Sequence, residues 1–127
     1  MPELPEYTEG MTARDVRLLS DADFTDGHLS TATVHLAAEM ACHNVLTERF
    51  GADDASLGIH NDIWYWGDAG PGELLHAEAM IAAVDGRRIV FNVFVRAGIR
   101  EIARGIHERM LVSHARFMAS LPESPRK

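Results

Sequence analysis

The segment from Ser30 to Phe50, STATVHLAAEMACHNVLTERF, limits most strongly what this chain can fold into. Ser30 or Thr31 can accept hydrogen bonds from the first free amides of a helix, and Gly51 stands just past its other end. Between them Val34, Leu36, Ala37, Ala38, Met40, Ala41, Cys42, Val45 and Leu46 leave little room for a solvent-facing side. A helix apolar on most sides has to be enclosed, so the rest of the chain must supply a wrapping surface.

That surface is legible downstream as a run of strands. Ser56 to Trp66 leads into the turn Gly67 to Gly72, and Glu73 to Val84 leads into Asp85-Gly86, a strong hairpin signal. Arg87 to Arg96 alternates through Ile89, Phe91, Val93 and Val95, and after Ala97-Gly98 a last strand runs from Ile99 to Val112. A short strand around Val16 and Leu18 precedes the turn-rich Asp21 to Gly27. Loops this short cannot make parallel crossovers, so the expectation is an α+β fold in which a curved antiparallel sheet wraps one long central helix. One sheet covers only part of such a helix, and pairing with a second copy, a homodimer, is expected.

With 127 residues the chain fits one domain, expected over 11–120, with loose Pro- and Glu-rich ends at 1–10 and 121–127. The formal net charge of −7 excludes a phosphate-tracking nucleic-acid binder, which needs clustered Lys and Arg. No run approaches the length of a membrane span, and Met1 to Gly10, with Glu3, Glu6 and Glu9, has no signal-peptide pattern. The expected location is cytoplasmic. A single cysteine, Cys42, excludes an internal disulfide and reads as a buried, inert thiol.

Glu39 is the most informative side chain. It is the only acid between Thr31 and Thr47 and lies among Ala, Met, Cys and Leu. Burying a carboxylate costs several kcal/mol unless it is hydrogen-bonded or neutralised, which marks isolated ones as functional candidates. A raised pKa would suit it to base work on water, or it could attack a carbonyl directly. His35, Glu39 and His43 follow one another at a spacing that stacks them on one helix face. They read either as a metal-binding stripe or, more plainly, as a hydrogen-bonded polar stripe. In the strand Ser56 to Trp66, a regular pleat puts Asn61, Ile63 and Tyr65 on one face and His60, Asp62, Trp64 and Trp66 on the other.

Several short pieces share the spacing of a known family: Ala38 to Cys42, Ser56-Leu57-Gly58, Pro71-Gly72, Val84 to Arg88 and Gly105 to Arg109. On these the chain resembles the fluoroacetyl-CoA thioesterase family of hot-dog proteins, in register from about Thr31 to Phe117. The resemblance implies a hot-dog fold and a catalytic set of Thr31, Glu39 and the residue at position 65. It also implies substrate contacts at Gly58 and Arg109; Asn61, on the Tyr65 face of the strand by its pleat, reads as a further polar contact. It implies no cofactor and a small-molecule acyl thioester, on CoA or a carrier, as substrate. At position 65 the family has histidine and this chain has Tyr65, a hydrogen-bond donor but a poor base at neutral pH. Hydrolysis of a small acyl thioester is therefore the leading expectation. A lyase, isomerase or cyclase on the same fold, or a non-catalytic acyl- or metabolite-binding module, are the alternatives.

Overall fold

The computed structural model describes residues 5–122. Its elements are β1 (Thr12–Leu18), β2 (Phe24–Thr25), β3 (His28–Leu29), α1 (Thr31–Thr47), β4 (Asp54–Tyr65), β5 (Leu74–Asp85), β6 (Arg88–Ala97), β7 (Arg100–Ser113) and α2 (His114–Ser120). β1, β5, β6, β7 and β4 form one antiparallel sheet in that order, and β2 pairs only with β3. The sheet curves round α1, which is the hot-dog architecture. Its helix-facing positions are Leu75, Ala77, Ala79 and Ile81 on β5, Ile89, Phe91, Val93 and Val95 on β6, and Ala103 and Leu111 on β7, all buried. They meet Val34, Ala37, Ala38, Ala41, Cys42, Val45 and Leu46 of α1. The alternation of β5 to β7 and the helix's small residues therefore make one core, the helix lying close because alanines face the sheet. Among the described residues no helix is long and apolar enough to cross a membrane.

Among the described residues the opposite flank of α1 is left uncovered. Leu36 is exposed, and His35, Glu39, Met40 and His43 are half-buried. Ser30, whose hydroxyl accepts from the Ala32 amide at 3.2 Å, is the cap, so Thr31 is the first helical residue.

Three features go beyond what the sequence shows. β7, for all its charged residues, lies between β6 and β4, which is why His107 and Arg109 are buried. The N-terminal segment was read as loose through Gly10, yet Tyr7 is buried and its hydroxyl donates to the Leu46 carbonyl at 2.6 Å, satisfying a helix-end acceptor. Burial, with Asp54 adding and Arg49 opposing, pushes the Tyr7 phenol up to about 12. A segment rich in Pro and Glu hid one anchoring aromatic. Third, α2 went unread: Ser113 caps it and Asp53 accepts from the Ala115 amide at 2.8 Å, a long-range contact with no local signature. The rest of the segments read as loose, residues 1–4 and 123–127, lies outside the described residues.

One irregularity positions the site. The register of β4 on β7 shifts between Gly58 and His60, so Ile59 is an extra residue. Ser56 and Gly58 before the bulge, and Asn61, Ile63 and Tyr65 after it, all pair with helix-facing residues of β7, while His60 pairs with Glu108 on the outer face. A regular strand would have put Gly58 and Tyr65 on opposite faces. Further along, a methyl group at Gly105 would lie 2.1 Å from the Asp62 carbonyl oxygen, so only glycine lets β4 lie on β7 there.

Candidate active site

Where the uncovered flank of α1 faces the bulged part of β4 there is an open cavity of about 280 Å³, lined by His35, Glu39, Gly58, Ile59, His60, Asn61 and His107. Its polar groups form a closed ring. Arg109 Nη1 donates to Glu39 Oε1 at 3.1 Å and lies 3.2 Å from His107 Nε2. His107 Nδ1 is 3.1 Å from Asn61 Oδ1, Asn61 Nδ2 is 2.8 Å from His35 Nδ1, and His35 Nε2 is 3.2 Å from Glu39 Oε2. Three elements supply the ring: α1 gives His35 and Glu39 one turn apart, β4 gives Asn61, and β7 gives His107 and Arg109 from alternate positions.

Arg109 is the ring's fixed point. Its side chain is only 7% exposed, against 32% for Glu39. Its remaining bonds run from Nε to Ser56 Oγ at 2.8 Å and from Nη2 to the Ser56 carbonyl at 3.2 Å. The guanidinium is thus held by the protein, paired with a carboxylate and not turned outward to a phosphate. Gly58 lets these groups converge: a methyl there would stand 3.3 Å from Glu39 Oε1 and 3.4 Å from both Arg109 Nη1 and His107 Cε1.

Glu39 does not have the raised pKa its apolar neighbours in sequence led us to expect. Burial pushes the carboxyl up, but the hydrogen bond and charge of Arg109, with His107 and His35, outweigh it and hold it below the usual carboxylate range. It is an ionised carboxylate, one oxygen on Arg109 and the other on His35, with its free side towards the cavity. Burial drives the Cys42 thiol up and out of reach of ionisation.

His107, 3% exposed, is pushed down to about 4, first by burial and then by Arg109. An unfolded chain takes up this proton near pH 6.5, so the neutral folded ring contributes stability that is complete above about pH 6.5 and is lost as pH falls towards 4, on the order of 3 kcal/mol. Urea unfolding of wild type and His107→Gln at pH 7.5 and 4.5 checks this. The wild type is expected to lose more stability between the two pH values, and parallel losses would contradict it. The depressed Glu39 adds acid sensitivity of the same sign to both proteins, so the difference between them is the reading.

Of the residues singled out from sequence, the structure brings Glu39, Gly58, Asn61 and Arg109 together. Thr31 and Tyr65 do not line this cavity. Thr31 lies eight residues before Glu39 on α1, roughly 12 Å along the axis. Tyr65 is on the helix-facing side of β4, half-exposed, and burial raises its phenol pKa against a lowering contribution from Asn61, so it remains a donor. His43 leaves the polar stripe and packs edge-on against Phe50, ring centroids 6.4 Å apart. Among the described residues no group of three or more His, Cys, Asp or Glu is placed to hold a metal ion. His107 and Ser56 also belong to the site; both stand in the family-spaced runs, but neither is among the candidate site residues read from sequence. The available signal was the alternation of His107 with Arg109, which puts both on one face of a strand.

A family model described as fluoroacetyl-CoA-specific thioesterase matches residues 8–115. Over 83 residues the chain is 28% identical to the fluoroacetyl-CoA thioesterase of Streptantibioticus cattleyicolor, a match covering 65% of this chain and 60% of that relative. A threonine-to-serine variant of a fluoroacetyl-CoA thioesterase, solved with acetyl-CoA, superposes with a TM-score of 0.84 at 19% identity, over 89% of this chain and 95% of that one. A thioesterase superfamily member from Thermus thermophilus gives a TM-score of 0.81 at 16% identity, covering 88% of each chain. A hot-dog-like protein from Thermanaerovibrio acidaminovorans gives 0.81 at 19% identity, covering 89% of each. At these identities the solved structures show the fold.

Proposed function

The chain belongs to the fluoroacetyl-CoA-specific thioesterase family, and from that premise we propose that it hydrolyses a small acyl thioester, carried on CoA or another thiol, at Glu39. The observation that carries this reading is the ionised Glu39 carboxylate, held from behind by Arg109 and His35 and open to the cavity. Acting as nucleophile, a carboxylate oxygen attacks the thioester carbonyl, the C–S bond breaks and the thiolate leaves. Water then opens the resulting anhydride, regenerating the carboxylate. Acting as base, it takes a proton from the attacking water and returns it to the leaving thiolate. A depressed pKa favours the first route, because it weakens the base while keeping the nucleophile ionised.

Thr31 and the free amides of the first turn of α1 would polarise the carbonyl, with the Tyr65 phenol donating a further hydrogen bond. Within one chain Thr31 stands too far from Glu39, and a homodimer resolves this. Among the described residues the outer edge of β4 is unpaired, and it is flanked by exposed Ile59, Trp64 (70%) and Trp66 (55%). A two-fold axis beside β4 pairs the two edges antiparallel, bringing the Tyr65 and Thr31 end of one protomer to the Gly58 and Glu39 end of the other. It also removes an exposed edge and covers the open flank of α1. Light scattering is expected to give twice the chain mass, and a single-chain particle that still turns over substrate would contradict this arrangement.

The test of the activity is thiol release from a panel of short, fluorinated, aromatic and long-chain acyl-CoAs. Turnover of at least one supports the reading and turnover of none overturns it. Tyr65 in the histidine's place keeps a second reading in view, a lyase, isomerase or cyclase that needs a donor instead of a base. Turnover of a non-thioester in the absence of thiol release would select it. Tight binding of an acyl-CoA without turnover would select a binding module.

A further inference from the structure

The direction of every hydrogen bond in the Glu39 ring follows from one residue. Arginine can only donate, so His107 Nε2, 3.2 Å from Arg109 Nη1, has to accept. The His107 proton is then on Nδ1 and donates to Asn61 Oδ1. With its oxygen engaged, the Asn61 amide presents its NH2 to His35 Nδ1, which has to accept. The one remaining ring proton sits on His35 Nε2 and donates to Glu39 Oε2. A second proton on His35 would set N–H against NH2 across 2.8 Å, donor against donor.

We propose that Asn61 and His107 are positioning residues that lock His35 as the neutral Nε2–H tautomer, so that Glu39 receives a neutral donor on that oxygen and keeps its nucleophilicity. The groups facing His35 are Glu39 on its own helix, Asn61 on β4, and on β7 His107, ring centroids 6.3 Å apart, with Arg109 behind it; His60 also lines the cavity but its ring turns to Glu108 on the outer face. On its Nε2 side His35 meets an acceptor in Glu39, and on its Nδ1 side the amide of Asn61 offers none. The two histidines that sequence placed far apart thereby serve one carboxylate, one as its direct donor and one as the link that passes on the arginine's polarity.

Asn61→Asp reverses the lock with a change of one atom. The new carboxylate accepts from His107 and from His35 alike, so His35 can carry both protons between two acids. Long-range nitrogen–proton spectra of the imidazoles at pH 7 are expected to show His35 protonated on Nε2 alone and His107 on Nδ1 alone in wild type. In the variant His35 is expected to be doubly protonated and to hold its second proton to higher pH. The kinetic arm rests on the thioesterase reading. There kcat is expected to fall about tenfold or more at pH 7 with KM little changed, and to recover as rising pH neutralises His35, a rise absent from the wild-type profile. Wild-type His35 protonated on Nδ1 or on both nitrogens overturns the proposal, as does a variant whose pH profile keeps the wild-type shape. A wild type that releases no thiol overturns the activity but leaves the spectra to decide the lock. Because those spectra are taken on folded wild type, a variant that does not fold leaves that test standing.

Discussion

Replacing Arg109 with methionine is expected to lower the unfolding free energy by about 3 kcal/mol and the melting temperature by roughly 10 °C. Methionine keeps the length and apolar stem of the side chain but removes every donor. Glu39 Oε1, His107 Nε2 and both Ser56 acceptors lose their partner together, and Glu39 is left charged in a cavity wall. Breaking a buried pair by deleting one ion costs about 3–5 kcal/mol, and the partial exposure of Glu39 places this case at the lower end. With the guanidinium gone, the strongest opposition to burial is removed and the Glu39 carboxyl pKa rises. Arg109→Lys keeps the charge without the fork and is expected to fall between the two, since one ammonium cannot reach Glu39, His107 and Ser56 at once. Thermal and urea unfolding of the three proteins measures this, and a methionine variant melting within a few degrees of wild type would contradict it.

The fold was legible because its two periodicities are strong and local. An apolar helix and alternating strands joined by short turns admit few arrangements, and β4 to β7 lie within two residues of where sequence placed them. What escaped the sequence depends on contacts between distant residues. Tyr7 reaches Leu46 across 39 positions, and the α2 cap depends on Asp53 some 62 residues away. Which strand is an edge is likewise a property of sheet order, and the burial of His107 and Arg109 follows from β7 lying between β6 and β4.

The site was legible in part for the same reason. Glu39 stood out because a lone acid in an apolar helix has no local explanation. Its pKa direction could not be read, because apolar neighbours in sequence argue for a rise while the guanidinium that lowers it comes from position 109. The bulge at Ile59 decides that Gly58 and Tyr65 share a face; Gly58 beside it suits a bulge as well as a close approach, and residue type alone does not choose between them. His35 was visible as part of a polar stripe, but its role appears only when Asn61 and His107 close the ring.

Glu39→Gln is expected to reduce kcat for thioester hydrolysis by about 100-fold or more. The amide is nearly isosteric, so the cavity and the substrate pose are preserved while the negative charge and the nucleophilic oxygen are lost. It also meets the proton pattern of the ring badly. Arg109 donates to one oxygen position and His35 to the other, and an amide NH2 at either faces a donor. Asn61 prevents His35 from relieving the conflict by changing tautomer. A modest loss of stability should therefore accompany the loss of rate, and circular dichroism of the variant confirms that the comparison is between folded proteins.

Steady-state thiol release from short, fluorinated, aromatic and long-chain acyl-CoAs, run side by side for wild type and Glu39→Gln, bears most directly on the central claim. A thioesterase built on Glu39 turns over at least one of these substrates, and its variant loses that rate by two orders of magnitude or so. Equal rates in the two proteins, or no release from either, would contradict it.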